Sequence, residues 1–165
     1  MNKAVFLDRD GTLNVDTSYT YKPEDLELLP NVIDALTLLK AAGFLLIVIT
    51  NQSGVGRGYY TLSDVENFHK QIQVILKKRN IQIDRFYICP HTPEDKCNCR
   101  KPSPYLIYKA AEDYDIDLSA SFLLGDKQSD IESGQVSGVK SYLISENHSI
   151  FHWTAKILEN NIYDL

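Results

Sequence analysis

The chain has 165 residues, 44% hydrophobic and 24% charged, with a formal net charge of -5. That composition excludes a disordered chain and supplies apolar surface for one compact domain over residues 1–165, while the acidic balance argues against general nucleic-acid binding. Asp8, Arg9 and Asp10 interrupt the first apolar run, unlike a signal peptide, and no apolar stretch reaches the roughly 20 residues of a membrane span, so a cytoplasmic monomer with neither membrane nor nucleic-acid partners is expected.

The first predicted element is a buried strand over residues 4–8, and the sequence AVFLDRDGT around it ends in two carboxylates and a Gly-Thr turn. Residues i and i+2 of an extended segment project to one side, so Asp8 and Asp10 can face one crevice. A polar loop (14–27) leads to a helix over about 32–42, with Asn31 as N-cap and Gly43 as stop. Residues 44–50 (FLLIVIT) are apolar throughout, as suits a strand covered on both faces of a parallel sheet. The stretch NQSGVGRGYY reads as a glycine loop, followed by a helix over about 64–79 with a Ser63–Glu66 capping box. A third strand is expected at 85–89, an irregular loop at 90–102, and a helix from Pro104 to about Tyr114. Then come a strand at 122–126, a short helix to about Gly138 under a Ser129–Glu132 box, a strand at 140–144 and a last helix from Ser149. Repeated strand-helix-strand units imply right-handed crossovers and a parallel sheet with helices on both faces. In such sheets sites gather beyond the carboxyl ends of the strands, which would bring Asp8, Thr50, the loop after Cys89 and Asp126 to one edge.

A phosphate monoester placed there would find each group its hydrolysis needs. Asp8 can attack phosphorus, and Asp10 can protonate the leaving oxygen and then activate water. Asp126 can join Asp8 on a hard divalent cation, Mg2+. Thr50 and the amide of Asn51 can bond the phosphoryl oxygens, and Lys101 can neutralise them. In the loop, Cys89, His91, Cys97 and Cys99 form C-x-H-x5-C-x-C, a thiolate and imidazole set suited to a tetrahedral, structural Zn2+. The bland readings are unpaired thiols beside a surface histidine, or a Cys89–Cys99 disulfide. The loop ends at Arg100-Lys101, so zinc would order the segment presenting both cations. His69 reads as a surface or core-edge residue.

The ordered set DRDGT, ITN, a KP lysine opening a helix, and GDKxxD resembles the motifs of the haloacid dehalogenase superfamily of phosphohydrolases, over residues 2–145. That resemblance implies a Rossmann-like three-layer α/β sandwich with a parallel sheet in order 5-4-1-2-3; the small zinc-binding loop read at 89–99 adds the expectation of no large cap domain. It further implies Asp8 as nucleophile, Asp10 as acid/base and a ligand through its backbone carbonyl, and Asp126 as metal ligand. Asp130 is a second acidic candidate for which a solvated helix start fits equally well. The zinc loop narrows the likeness to the branch of histidinol-phosphate and heptose-bisphosphate phosphatases. NQSGVGRGYYT and CRKPSP favour hydrolysis of the 7-phosphate of a heptose 1,7-bisphosphate in making nucleotide-activated heptose for lipopolysaccharide or surface glycans; histidinol phosphate in histidine biosynthesis is the alternative. By position, Asp16, Thr17, Ser18, Tyr19, Thr50, Asn51, Gln52 and Ser53 would contact sugar or phosphate. Arg100 would recognise substrate, Lys101 would stabilise the phosphoryl group, and Lys127 would reach the substrate or metal site. A receiver-like module that accepts phosphate on Asp8 without turnover is the non-enzyme alternative.

Overall fold

Five short apolar segments carry the architecture, and the computed structural model, which describes residues 1–162, joins all five into one sheet. They are β1 (Ala4–Leu7), β2 (Leu45–Asn51), β3 (Arg85–Cys89), β4 (Phe122–Gly125) and β5 (Lys140–Leu143). Every pairing is parallel, in the order β3-β2-β1-β4-β5, which is the expected 5-4-1-2-3 read from the other edge. β1 is central: Ala4 pairs with Leu45 on one side and Val5 with Phe122 on the other.

Alternation along β1 divides the core. Val5 and Leu7 face a cluster with helices α1 (Val32–Ala41), α3 (Leu62–Lys77) and α6 (Ile150–Ile162), represented by Leu36, Phe68 and Ile157. Ala4 and Phe6 face the opposite cluster with α4 (Tyr105–Tyr114) and α5 (Gln128–Val136), through Ile107 and Ile131. Both faces of the sheet are therefore covered, as its continuous apolar strands require. Residues 163–165 of the expected domain lie outside the described residues.

The element boundaries move where capping chemistry wins over pattern. α3 begins at Leu62 because Thr61, not Ser63, holds the N-cap: the Asp64 amide donates to Thr61 Oγ1 at 3.1 Å and the Thr61 amide to Asp64 Oδ2 at 2.8 Å. At α5 the expected Ser129–Glu132 box is replaced by Asp130, whose Oδ2 accepts from the Lys127 amide at 3.0 Å. The glycine loop after β2 includes a four-residue helix, α2 (Ser53–Gly56). Pro104 sits at the cap of α4 rather than at its first position. Asn31 takes the cap position of α1 in the left-handed region, without a side-chain bond.

Candidate active site

Parallel pairing brings the ends of β1, β2 and β4 together, and the loops beyond them surround a cavity of about 310 Å³. Asp8 follows the last residue of β1 and Asp126 the last of β4, with the Asp8 amide bonded to the Leu124 carbonyl at 3.1 Å. Lys101 arrives from the far end of the cysteine loop. Its ammonium is buried and donates to Asp8 Oδ1 at 2.8 Å and to the Ile49 carbonyl at 2.6 Å, while Asp130 Oδ1 lies at 2.7 Å. Asp130 is therefore no solvated helix start: it is 1% exposed and takes charge from Lys101.

One oxygen from each of Asp8, Asp126 and Asp130 lies within 4.8 Å of the others. Asp8 and Asp130 flank the one buried ammonium, and Asp126 stands beside Asp8. Burial opposes ionisation of Asp8, but the charge and hydrogen bond of Lys101 prevail and hold it below the ordinary carboxylate value. Asp126 moves the other way, pushed up to about 7 by burial first and then by the hydrogen bond and charge of Asp8. Burial, then attraction to Asp8 and Asp130, act on Lys101, and the attraction prevails to raise it. Asp126 Oδ1 is buried without a hydrogen-bond partner. An acidic cluster with surplus negative charge and an unpartnered inward oxygen fits a hard divalent cation.

Two glycines make the cluster possible. A Cβ on Gly11, whose φ is +81°, would run into the Asp126 carboxylate, and a Cβ on Gly125 would run into Asp130.

Asp10 lies in a different environment. Arg9 reaches back to it with Nε on Oδ1 and Nη2 on Oδ2, both at 3.0 Å, and Asn14 Nδ2 and Gln52 Nε2 add one bond each at 3.0 Å. Gln52 Nε2 also donates to Thr50 Oγ1 at 2.7 Å, and the Tyr60 hydroxyl donates to Gln52 Oε1 at 2.7 Å. Burial pushes Tyr60 up to about 12, so its hydroxyl keeps the proton it donates. Sequence reading passed over Arg9 and Asn14. The one available signal was a cation between two aspartates, since an arginine buried at a strand end needs an anion.

The cavity gathers most of the expected substrate residues: Asp16, Ser18, Tyr19, Asn51, Gln52, Ser53, Arg100, Lys101 and Lys127 all line it, with Asp8 and Asp10 at the base. Thr17 does not; it bonds Thr20 and shapes the loop. Thr50 is buried behind Gln52, and Asp126 faces a neighbouring cavity with Gly11. Asn51 holds the lysine segment in place, accepting from the Lys101 amide at 3.1 Å and donating to its carbonyl at 3.2 Å. Lys127 Nζ stands 3.9 Å from Asp16 at the exposed rim.

The four ligand atoms of Cys89, His91, Cys97 and Cys99 also lie within 4.8 Å of one another. Cys89 Sγ is 3.6 Å from Cys97 Sγ and 3.0 Å from Cys99 Sγ, and His91 Nδ1 is 3.4 Å from Cys99 Sγ. All three cysteines are free thiols, so the disulfide reading is not adopted. Burial opposes thiolate formation at Cys97, but the Cys99 and Arg100 amides outweigh it and bring this thiol down to about 7. Two thiols of the set, Cys89 and Cys99, are pushed up by burial. The loop is compatible with a tetrahedral soft-metal site. Its position ties it to the cavity, because the Gln52 amide donates to the Cys89 carbonyl at 2.7 Å and Lys101 follows two residues after Cys99.

The polynucleotide kinase 3 phosphatase family model matches residues 3–151. The chain is 45% identical over 144 residues to a D-glycero-beta-D-manno-heptose-1,7-bisphosphate 7-phosphatase of Helicobacter pylori, covering 87% of this chain and 83% of the relative. It is 39% identical over 143 residues to the enzyme of that name from Escherichia coli K12, covering 82% and 75%. Among solved structures, the D,D-heptose 1,7-bisphosphate phosphatase of B. bronchiseptica complexed with magnesium and phosphate superposes with a TM-score of 0.88 at 26% identity, covering 96% of this chain and 99% of the other. Fold, site and relatives together define a phosphoric monoester hydrolase. The chain belongs to the haloacid dehalogenase superfamily of phosphatases, in the branch of the heptose-bisphosphate phosphatases.

Proposed function

We propose that the protein removes the 7-phosphate of a D-glycero-D-manno-heptose 1,7-bisphosphate, acting as a cytoplasmic monomer on a route to nucleotide-activated heptose for surface glycans. The observation that carries the reading is the pairing of Lys101 with Asp8 at the base of a cavity whose rim holds further cations, Arg100 and Lys127. One phosphate fits over Asp8, and the rim cations suit the second.

Asp8, kept ionised by Lys101, attacks phosphorus. The bond from phosphorus to the sugar oxygen breaks, an aspartyl-phosphate forms, and Asp10 gives its proton to the departing alkoxide. Asp10 then takes a proton from water as that water displaces the aspartate, releasing phosphate and restoring Asp8. Four donors fix the plane of the Asp10 carboxylate, and one of them gives way while an oxygen carries the proton. Asp8, Asp126 and the Asp10 backbone carbonyl would hold Mg2+, which when bound neutralises charge on the phosphoryl oxygens. The cysteine loop would hold a structural Zn2+.

The test is phosphate release in Mg2+ from both anomers of heptose 1,7-bisphosphate and from histidinol phosphate. A higher kcat/KM on a heptose bisphosphate is expected. Preference for histidinol phosphate would replace the substrate assignment, and a long-lived phosphoprotein without turnover would replace the enzyme by a receiver-like module.

A further inference from the structure

Arg9 separates the two catalytic aspartates in sequence, yet it is wholly buried and all three of its side-chain nitrogens are engaged. Beyond its fork on Asp10, Nη2 donates to the Thr20 carbonyl at 2.6 Å and the guanidinium lies 4.4 Å from the centre of the Phe68 ring. Nη1 sits 3.3 Å from Nε2 of His69, a residue of α3 that lies outside the substrate cavity. The His69 ring stacks on Phe86 at 4.1 Å, with an interplanar angle of 14°. An arginine has no acceptor, so Nε2 must accept from it and the imidazole must be neutral. Burial first, and then the Arg9 charge, push His69 down to about 3, in keeping with that state.

We infer that His69 and Arg9 are positioning residues for the acid/base: His69 fixes the guanidinium plane, and the guanidinium fixes the carboxylate of Asp10. A fork held at one end by an imidazole and on its face by Phe68 has one orientation, and a carboxylate bonded through both oxygens takes its plane from the fork. Gln52, backed by Tyr60, closes the other side of Asp10. Proton delivery needs such alignment, since an acid/base group out of register with the leaving oxygen loses its contribution.

The inference rests on Asp10 acting as the acid, and the experiment separates the two. kcat/KM is measured for a sugar phosphate, whose alkoxide needs a proton to leave, and for p-nitrophenyl phosphate, whose phenolate does not. Asp10→Asn, the reference, should lose about 10²–10⁴-fold on the sugar phosphate and far less on the nitrophenyl ester. Arg9→Lys, which keeps the charge but not the fork, should lose about 100-fold on the sugar phosphate with the same selectivity. His69→Leu should lose about tenfold, and His69→Gln, whose amide oxygen can accept from Nη1, should recover to within about threefold of the parent. Should Arg9→Lys fail to fold, the two His69 variants decide alone. Equal losses on both substrates, or His69→Gln no better than His69→Leu, would overturn the positioning role while leaving Asp10 as the acid. An unselective Asp10→Asn would overturn both.

Discussion

The carboxylate cluster at the ends of β1 and β4 and the sulfur and imidazole cluster after β3 are assembled from opposite materials. Asp8, Asp126 and Asp130 are hard oxygen donors with more negative charge than Lys101 can balance, beside a cavity open to substrate. Cys89, His91, Cys97 and Cys99 offer four soft donors, which fill a tetrahedral shell by themselves. The first arrangement keeps charge and coordination in reserve for a reacting group. The second spends everything on its own loop. They meet in the chain at Cys99-Arg100-Lys101, so the closed cluster anchors the lysine that charges the open one.

If that contrast is right, damage to the two clusters should separate cleanly into activity and stability. The largest expected effect is on activity: Asp8→Asn keeps an oxygen for Lys101 but removes the proposed nucleophile, and should cost more than about 10³-fold in kcat. Its melting temperature should move by no more than about 3 °C, because the residue stands beyond the strand and outside both apolar clusters. Full activity would remove Asp8 from the mechanism, and a large loss of melting temperature would make this cluster structural as well.

Cys97→Ser should show the reverse emphasis. With one ligand gone the loop should lose bound zinc, read by elemental analysis, and melt about 10 °C lower. Activity should fall less than in Asp8→Asn, with KM rising as Arg100 and Lys101 lose their support. Unchanged zinc content and kinetics would mean that the four donors do not act together. Arg100→Gln should leave both clusters intact and raise KM for the bisphosphate about tenfold, with kcat retained. A sugar carrying only the scissile phosphate should hardly notice the change. Equal effects on both sugars would place Arg100 at the scissile phosphate instead of at the second one.

Much of this was legible in the sequence because it depends on position along strands. FLLIVIT announces a strand covered on both faces, and a parallel sheet sends Asp8, Thr50 and Asp126 to one edge whatever the packing details. C-x-H-x5-C-x-C is likewise local, and its four donors do converge. The supporting contacts were not legible. Lys101 on Asp130, Arg9 on His69 and Tyr60 on Gln52 join residues 29, 60 and 8 positions apart, and depend on the angle at which loops cross the strand ends. The helix starts were misplaced for a simpler reason. Ser63 and Glu66 satisfy the capping pattern as well as Thr61 and Asp64 do, and the backbone can use only one pair.

The smallest effect tests whether scaffold and clusters can be told apart by pH. His69 belongs to neither cluster, is 5% exposed, and titrates near 3 instead of at its ordinary 6.5, through burial first and then the Arg9 charge. Glu66, Lys70, Asp84 and Arg85 line the outer cavity on its other side. Below pH 6.5 the unfolded chain takes up a proton that the folded chain refuses until about 3, so this group's stabilisation is present above 6.5 and is lost as pH falls through that window. At pH 5 the proton withheld corresponds to about 2 kcal/mol. His69→Gln has nothing to titrate there, so its denaturant midpoint should fall less than the parent's between pH 7 and 5. Comparing the two proteins subtracts the contributions common to both. The same difference should persist after chelation, since His69 is not a metal ligand in either cluster. If chelation abolished it, the acid sensitivity would belong to a metal site, and the division between open cluster, closed cluster and scaffold would fail at Arg9, the residue that joins His69 to Asp10.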